Sequence, residues 1–395
     1  MDHRKRSLSQ TGGKVRLAGD PAASEILGKC LQVDRKAAMP FTHGFHAYPA
    51  RMHPETARQV VEAFPGGKIL DPFMGSGTVA LEAVRAGRAF TGFDIVGPAI
   101  EIAWARTRVW HPDQCRAFEK AALGVAERAW SDSEASELSL PAWTMQEREW
   151  YDPHTLREIG ALYQRMQAED EPFRRLMKVV LASLLVRLSR QVSDSMVKMD
   201  IYHRAKPRHA AFRWFREKTS ELTKGLLQLS SNLYKRKVAY LEPELKREDA
   251  RKAEVAKGTV DLLLTSPPYA GTYDYTWNQD RRYGIFNSDK AFPVMREIGA
   301  RRAQGRGYVA DLKAVLARFS PALTPAGKMI LLIGDGLVGE TPIKADVIVP
   351  AIAAEIGWTI TAGASQHRRD WSGGPDRREH LLLLERTKDQ GPKTK

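Results

Sequence analysis

The chain has 395 residues, of which 43% are hydrophobic and 27% are charged, as expected for a globular protein with one large core or two ordinary ones. Lys and Arg number 61 against 47 Asp and Glu, and a net charge of +14 is typical of proteins that bind nucleic acid. The two cysteines, Cys30 and Cys115, argue against a disulfide framework and against a zinc site, and we expect no metal. Because we find neither a run of about 18 apolar residues nor an apolar segment in the basic N-terminus, we expect a cytoplasmic protein with no membrane partner.

The first part of the chain predicts a flexible arm followed by a β-α-β unit. Residues 1–40 are polar and basic without a clear period, and we interpret them as the arm. A helix is predicted from Pro54 to Phe64, where Pro65-Gly66-Gly67 ends it. The elements that follow are a strand at 68–70, a glycine-containing loop, a helix at 79–86 and a strand at 89–95. Such a unit implies a parallel sheet with a right-handed crossover.

The loop of this unit, Asp71-Pro72-Phe73-Met74-Gly75-Ser76-Gly77-Thr78, has the composition of a ligand-binding turn and is called the glycine loop below. Gly75 and Gly77 let the backbone approach a ligand and expose amides at the start of a helix. The third glycine of a dinucleotide site and the GxxxxGK sequence of a phosphate-binding loop are both missing. Asp71 can accept hydrogen bonds from an ammonium group or from loop amides, and Asp94 at the next strand end is placed to bind ribose hydroxyls. Each aspartate can equally cap a helix or a turn.

Residues 111–236 have helical patterns and form a predicted insertion. The clearest helix runs from Phe173 to Leu188, with apolar residues on one stripe, and a second covers about 212–234. Between Pro172 and Lys237 we count 16 Lys and Arg against four acidic residues, so the excess positive charge is concentrated here. Arg204, Lys206 and Arg208 are therefore candidates for phosphate contacts, with a basic scaffold as the alternative.

Strand patterns return after the insertion, which favours one interrupted α/β sheet over two domains in tandem. The predicted strands are 237–240, 260–264, 328–333, 358–361 and 380–384, with helices at 309–319 and 344–356. Asp249 precedes the second of these strands and can contact an adenine amine or cap a turn. The predicted division is an arm (1–40), two parts of a main domain (41–110 and 237–386), the insertion (111–236) and a polar tail (387–395).

The strand at 260–264 runs into Thr265-Ser266-Pro267-Pro268-Tyr269, called the catalytic corner below. Two prolines make a stiff corner at the carboxyl end of the strand, which is where ligands bind in open α/β sheets. The corner leaves the Ser266 carbonyl as an acceptor, and Tyr269 can present an aromatic face beside it. This combination suits a planar substrate with an amine. The alternative is a simple turn with Tyr269 packed in the core.

Together these segments resemble the amino-methyltransferases, which use S-adenosylmethionine to methylate exocyclic amines of DNA bases. The glycine loop resembles their cofactor loop, Phe93-Asp94-Ile95 their ribose-binding strand end, and Glu248-Asp249-Ala250-Arg251 their adenine-contacting strand end. The catalytic corner resembles their catalytic motif in its Ser-Pro-Pro-Tyr form, which is similar to that of cytosine-N4 enzymes. The resemblance covers roughly 40–110 and 237–386 and implies a Rossmann-like class I methyltransferase sheet with a long helical insertion for target recognition.

The resemblance implies a direct transfer. Ser266 would accept hydrogen bonds from the amine of a flipped cytosine, Tyr269 would stack on that base, and Pro267 and Pro268 would hold the corner. Cytosine C5 methylation is disfavoured because neither Cys30 nor Cys115 follows a proline. Arg51 and Tyr273-Asp274-Tyr275 are weaker candidates for the site.

Several alternatives stay open at the level of the sequence. The acceptor can be adenine N6 in DNA, a base amine in RNA or a protein glutamine amide, and a degenerate fold that only binds nucleic acid is a further possibility. A restriction–modification setting is in keeping with the family, whereas the sequence leaves open the target sequence, the presence of a partner restriction enzyme and the oligomeric state.

Overall fold

The computed structural model describes residues 11–34, 39–134, 140–294, 296–368 and 377–387. An eight-stranded sheet lies at its centre. From one edge to the other its strands are β1 (Thr11–Gly19), β11 (Trp358–Arg368), β12 (Arg377–Arg386), β8 (Leu323–Gly334), β7 (Val260–Thr265), β2 (Lys68–Asp71), β3 (Ala89–Asp94) and β6 (Glu244–Arg247). Two separate hairpins pair β4 (Gln191–Ser193) with β5 (Met196–Met199), and β9 (Gly336–Val338) with β10 (Thr341–Ile343).

The helices cover both faces of the sheet and build the insertion. They are α1 (Pro21–Leu31), α2 (Pro54–Ala63), α3 (Thr78–Ala86), α4 (Gly97–Arg106), α5 (Pro112–Glu134), α6 (Ala142–Gln146), α7 (Pro153–Met166), α8 (Phe173–Leu188), α9 (Ala210–Arg236), α10 (Tyr275–Asn278), α11 (Tyr283–Phe286), α12 (Ala291–Val294), α13 (Tyr308–Phe319) and α14 (Ala345–Glu355). None of the helices in the described ranges combines the length and apolar character needed to cross a membrane.

The sheet is mostly parallel and reverses its winding between β2 and β7. Strands β6, β3, β2, β7 and β8 are mutually parallel. Strand β12 is antiparallel to β8, β11 is antiparallel to β12, and β1 is antiparallel to β11. From β2 the chain crosses to β3 and then β6 on one side, while β7 and β8 extend the sheet on the other. Ligand sites of open α/β sheets lie at such a switch point. The predicted Rossmann-like α/β fold is confirmed.

The insertion between α4 and β6 is helical, as predicted, and it also contains the β4–β5 hairpin. Its helices share one hydrophobic core with the body of the protein. Leu181 and Phe215 from the insertion pack in the same cluster as Ile102 of α4 and Tyr48 of the segment before α2. Helix α8 has the predicted bounds because its apolar stripe of Leu and Val residues faces this core.

The arm predicted over residues 1–40 is wrong where the structure describes it. Strand β1 pairs with β11 at the sheet edge, and α1 packs Leu27 and Leu31 into the core. Helix α1 begins at Asp20-Pro21, where the Asp20 carboxylate accepts a hydrogen bond from the Ala23 amide at 2.8 Å. Residues 1–10 and 35–38 of the predicted arm, and all but Thr387 of the predicted tail, lie outside the described residues.

The strand predicted at 237–240 is also wrong. Lys237 has a left-handed backbone that ends α9, and the Val238 amide donates to the Leu233 carbonyl at 3.0 Å. Val238 then packs on Leu233, as in a Schellman helix end. The apolar residues that suggested a strand therefore terminate a helix, and the strand that pairs with β3 begins at Glu244.

Substitution of a buried residue in α1 tests whether this segment belongs to the folded body. We expect Leu27→Ala to lower the free energy of unfolding by about 2–5 kcal/mol, because the fully buried side chain leaves a cavity. Leu17→Ala, on the exposed part of β1, is the control and should change it by less than about 1 kcal/mol. Chemical denaturation measures both, and equal small effects would contradict the docking of α1.

Candidate active site

The glycine loop and the catalytic corner meet at the carboxyl ends of β2 and β7. These strands are parallel neighbours, with Leu70 beside Leu263. The Thr265 hydroxyl donates to Asp71 Oδ1 at 2.5 Å, and both side chains are buried. A direct hydrogen bond thus joins two motifs that the sequence separates by 194 residues.

The glycine loop is held close to β3 and α4. Asp94 Oδ2 accepts a hydrogen bond from the Gly75 amide at 2.9 Å, and its Oδ1 accepts one from the Val96 amide at 2.8 Å. Gly77 has a φ of 79°, and a Cβ there would lie 2.8 Å from the Cβ of Ala103. The loop therefore needs glycine at this position for both backbone conformation and packing.

Arg106, at the end of α4, fixes the loop from behind. Its fully buried guanidinium donates to the carbonyl and hydroxyl oxygens of Ser76 at 3.0 and 2.6 Å, and to the His46 carbonyl at 2.5 Å. The same arginine therefore orients the glycine loop and the segment around His46. This segment continues into Tyr48 and Arg51, which face the same cavity as the loop.

A pocket with about 870 Å³ of empty space, its open mouth included, lies between these elements. Most of the predicted site residues line it. They are Asp71, Pro72, Phe73, Gly75, Thr78, Asp94, Asp249, Ser266 and Pro268. Gly77, Pro267 and Tyr269 are not part of the lining, although each is next in the chain to a residue that is or belongs to the same motif. Arg204, Lys206 and Arg208 are also outside the lining.

Carboxylates dominate the charge of the pocket. Burial, with a smaller contribution from the charge of Asp94, raises the pKa of Asp71 to about 7, although hydrogen bonds from Thr265 and the Phe73 amide oppose the shift. Burial also raises the pKa of Asp94 to about 6. Both carboxyl groups thus lose part of their charge near neutral pH, and a bound cation would favour their ionised form.

Asp249 lines the pocket but its carboxylate already has a partner. The Arg251 guanidinium donates to both of its oxygens, at 3.0 and 2.8 Å. Although burial opposes it, these hydrogen bonds lower the pKa of Asp249. Asp249 is therefore ionised and held in place, and the turn-capping alternative is also observed because its Oδ1 accepts from the Arg251 amide at 3.0 Å.

Tyr269 does not present its ring to the pocket in this structure. Its side chain is 4% exposed and packs in the apolar core, and its hydroxyl donates to Glu379 Oε1 at 2.8 Å. The Arg368 guanidinium lies 4.8 Å from the ring centroid. The packing alternative considered for this residue is thus the observed one, because β11 and β12 supply a cation and a carboxylate that hold the ring.

Pocket residues that the sequence did not single out come from flanking segments. Tyr48 packs against Gly75, and Glu297 accepts hydrogen bonds from the Tyr275 and Thr276 amides. Tyr275, one of the weaker candidates, is also among the residues that line the pocket. A single aromatic or acidic residue in a loop has no periodic or motif signal, so only the fold could bring these groups together.

The predicted phosphate contacts lie on the loop between β5 and α9. Arg204 and Arg208 are exposed, whereas Lys206 is half-buried, with its amide donating to Asp152 at 2.8 Å. A second basic segment, residues 296–306, was missed and is called the arginine loop below. It exposes Arg301, Arg302 and Arg306.

The arginine loop is fastened to the chain that follows the catalytic corner. The Gly271 amide donates to the Gly299 carbonyl at 2.9 Å, and the Arg301 amide donates to the Tyr273 carbonyl at 3.2 Å. The Arg302 guanidinium lies 3.6 Å from the ring centroid of Trp277 in α10. Exposed arginines are therefore held beside the pocket by backbone hydrogen bonds.

Asp335, Asp346 and His380 form a separate cluster of possible metal ligands. The two oxygens of Asp335 already accept hydrogen bonds from the Ala345 and Arg378 amides, each at 3.0 Å, and Oδ1 lies 3.3 Å from His380 Nε2. These bonds give the buried carboxylate a structural role at the ends of β8 and β12. We assign no metal to it.

A family model matches the part of the chain that contains the first half of this site. Residues 24–104, which contain the glycine loop and Asp94, match the N6/N4 DNA methylase family model. The predicted resemblance to the amino-methyltransferases is confirmed. The match begins inside the segment that had been interpreted as an arm, in agreement with the docking of α1.

The other comparisons are weaker. A search of curated proteins found no match. Among solved structures the chain is similar to a SAM-dependent methyltransferase from Methanosarcina mazei, with 10% identity, 83% of this chain and 96% of that chain covered and a TM-score of 0.34. It is also similar to the rRNA methyltransferase AviRa from Streptomyces viridochromogenes, with 12% identity, 92% and 94% coverage and a TM-score of 0.31. TrmN from Thermus thermophilus has 14% identity, 85% and 49% coverage and a TM-score of 0.28. We draw no functional conclusion from likeness at this level.

The pocket fits S-adenosylmethionine, the cofactor of the matching family. Its acidic lining suits the sulfonium and ammonium groups, and the buried Thr78 hydroxyl has no hydrogen-bond partner among the described residues. Arg51 lines the same pocket and donates from Nη1 to the His43 carbonyl at 2.5 Å, while its buried Nε has no partner within the described ranges. An arginine with an unused donor suits the cofactor carboxylate.

The raised pKa of Asp71 predicts a pH-dependent affinity for the cofactor. A bound cation favours the ionised carboxylate, so binding releases a proton when the pH is below about 7. The affinity for S-adenosylmethionine should rise from pH 5.5 to 7.5 by up to roughly tenfold per pH unit. Asp71→Asn should bind more weakly and show a flatter profile, and calorimetric titration measures both.

Asp346→Asn, on the exposed start of α14, is the control for this substitution and should keep the wild-type profile. A wild-type affinity that does not change between pH 5.5 and 7.5 would contradict the role assigned to Asp71.

Proposed function

We propose that this protein is an S-adenosylmethionine-dependent methyltransferase that acts on an exocyclic amine of a DNA base, with cytosine N4 as the favoured acceptor. The observation that carries the proposal is the meeting of the glycine loop and Ser266 in one acidic pocket, joined through Asp71 and Thr265. The family match over residues 24–104 supports the reaction class.

The pocket residues suggest how the cofactor would be held. Asp94 and Thr78 suit the ribose hydroxyls, Asp71 and the glycine loop the cationic part of the methionine moiety, and Arg51 the carboxylate. Asp249 remains the candidate for the adenine amine, now as a carboxylate fixed by Arg251. When bound, the cofactor supplies a sulfonium methyl whose transfer to the amine nitrogen leaves a neutral thioether and releases one amine proton.

The chain itself would position the amine. Ser266 is half-buried in the pocket lining, so its carbonyl and hydroxyl oxygens can accept hydrogen bonds from the amino group of a flipped base. These bonds would draw the nitrogen lone pair out of conjugation with the ring and aim it at the methyl group. Much of the acceleration then comes from placement, without a covalent intermediate.

The structure changes the part that we assign to Tyr269. Its ring supports the catalytic corner from below through Glu379 and Arg368, and Pro267 and Pro268 stiffen the turn above it. Tyr48, Phe73 and Tyr275 are the aromatic residues of the pocket lining. Tyr275 follows the catalytic corner in the chain, and we propose that it takes the stacking role on the flipped base.

Exposed cations support a nucleic-acid substrate. Arg204 and Arg208 are exposed on the insertion, and Arg302 of the arginine loop lies over the ring of Trp277 in α10. Such side chains suit phosphate contacts. The serine at position 266 favours cytosine N4 through the family resemblance, and adenine N6 or an RNA base amine are the alternatives. The cytoplasmic location and a restriction–modification setting stay predictions.

Substitution of Ser266 tests the proposal. With S-adenosylmethionine labelled on the methyl group and plasmid DNA from a methylation-deficient strain, Ser266→Ala should lower the transfer rate about ten- to a hundredfold, because one acceptor of the amine is lost. The cofactor affinity of the variant, measured by calorimetry, should be unchanged.

Ser183→Ala is the control, since that hydroxyl donates only within α8, to the Val180 carbonyl at 2.6 Å. This variant should transfer at the wild-type rate. Equal rates for all three proteins would contradict the assignment of Ser266, and cofactor binding without any transfer to DNA would contradict the substrate class.

A further inference from the structure

The β4–β5 hairpin and the turn after it present an apolar surface that the proposed function has not used. Strand β5 and the turn that follows it, residues 196–202, are together called the hairpin tip below. Ile201 is 81% exposed and Tyr202 is 84% exposed, and Met196 and Met199 of β5 are also exposed. Large apolar side chains exposed together in one segment can mark an interaction site.

Hydrogen bonds hold the backbone on both sides of Ile201 and Tyr202, so these residues do not form a frayed end. The Asp200 amide donates to the Arg190 carbonyl at 2.7 Å, and Asp200 Oδ1 accepts from the Tyr202 amide at 2.9 Å. Asp152 accepts from His203 Nε2 at 3.1 Å and from the Lys206 amide at 2.8 Å. These bonds fix the turn on both sides of Ile201 and Tyr202 while leaving the two side chains in solvent.

The hairpin also adjoins the pocket. Strand β5 contacts α10, whose first residue, Tyr275, is part of the pocket lining. The Arg282 guanidinium, which follows α10, pairs with the Asp194 carboxylate in the turn between β4 and β5. The hairpin therefore packs against an element that contributes to the pocket lining.

The charge around the tip points to a polyanion. Lys198, Arg204 and Arg208 are exposed in the same segment of the chain as the apolar side chains. Proteins that distort duplex DNA combine these two features: cations contact the phosphates while apolar side chains enter between bases.

We infer that the hairpin tip is a wedge for double-stranded DNA, and that Ile201 and Tyr202 enter the base stack and fill the gap that the flipped target base leaves. Removing a base from the stack costs a few kcal/mol, and an aromatic ring stacked on the neighbouring base offsets part of that cost. The inference rests on the proposed function, because a wedge is needed only if the enzyme takes a base out of a duplex.

A binding experiment tests the wedge without the methylation chemistry. Fluorescein-labelled DNA duplexes of one sequence, either intact or with one central abasic site, are titrated with the protein and followed by anisotropy. The wild type should bind the abasic duplex roughly tenfold more tightly, because no base has to leave the stack. Ile201→Ala combined with Tyr202→Ala should lose most of this preference.

Two sets of variants serve as controls. Tyr234→Ala removes an equally exposed tyrosine, 86% exposed, near the far end of α9, and should keep the preference. Arg204→Gln combined with Arg208→Gln should weaken binding to both duplexes equally. In a plot of the logarithm of the binding constant against the logarithm of the salt concentration, the slope should become shallower by about one for each lost phosphate contact. All substitutions are on exposed side chains, so the thermal unfolding midpoints should match that of the wild type.

The methylation reaction supplies the second arm. The double apolar variant should transfer methyl groups to duplex plasmid DNA at least tenfold more slowly than the wild type, yet methylate the same DNA after heat denaturation at a rate within about twofold. The wedge would be overturned if the double variant kept the wild-type preference for the abasic duplex and its transfer rate fell equally on duplex and denatured DNA. It would also be overturned if the preference was kept and neither transfer rate fell.

The outcomes separate the wedge from the proposed function and from other partners. If the wild type methylates no DNA, the proposed function fails, and an abasic preference that depends on Ile201 and Tyr202 would still support the wedge. If the double variant converts a wild-type dimer to a monomer in sedimentation while both DNA arms stay unchanged, the tip is a contact between copies of this chain and the wedge is overturned.

Discussion

The hydrogen bond between Thr265 and Asp71 is the contact on which the site depends. It joins the carboxyl ends of β2 and β7, the two central strands between which the sheet changes its winding direction. One strand leads into the glycine loop and the other into the catalytic corner, so the bond sets the distance between the loop that we propose binds the cofactor and the corner that we propose binds the amine. Both partners are buried, which makes the bond strong and its loss costly.

The surrounding contacts hold the two motifs rather than adding chemistry. Asp94 fixes the glycine loop from β3, Arg106 fixes it from α4, and Tyr269 supports the corner from the opposite side through Glu379. Burial of Asp71 and Asp94 is a consequence of this packing, and it raises the pKa of both carboxyl groups toward neutral pH. The packing that shapes the pocket therefore also makes the binding of a cationic ligand favourable, because the cation stabilises the ionised form of both carboxyl groups.

Local patterns in the sequence were sufficient for some elements and insufficient for others. Helix α8 and strand β7 could be predicted because each has an apolar pattern of its own, and the glycine loop because its composition is distinctive. Strand β1 could not, since it is largely exposed and exists only by pairing with β11, as in the bond from Gln366 to the Gly13 carbonyl 353 residues away. The orientation of Tyr269 has the same cause, because its partners Arg368 and Glu379 come from β11 and β12. Both the existence of β1 and the orientation of Tyr269 thus depend on residues that are distant in the sequence.

The insertion connects this site to the substrate that we propose. It shares a core with the body of the protein, and its β4–β5 hairpin contacts α10. The arginine loop is fastened to the segment after the catalytic corner. A duplex bound over the pocket would then lie near the exposed arginines of this loop and near the exposed apolar side chains of the hairpin.

Identification of the methylated product tests the central claim most directly. Methylation-free DNA incubated with the protein and labelled S-adenosylmethionine is digested to nucleosides, and the labelled species is identified by mass spectrometry. The account predicts N4-methyl-deoxycytidine as the labelled product. Label in N6-methyl-deoxyadenosine would keep the amine chemistry but contradict the assignment from Ser266, and label in a C5-methylated base, or none in any nucleoside, would contradict the account as a whole.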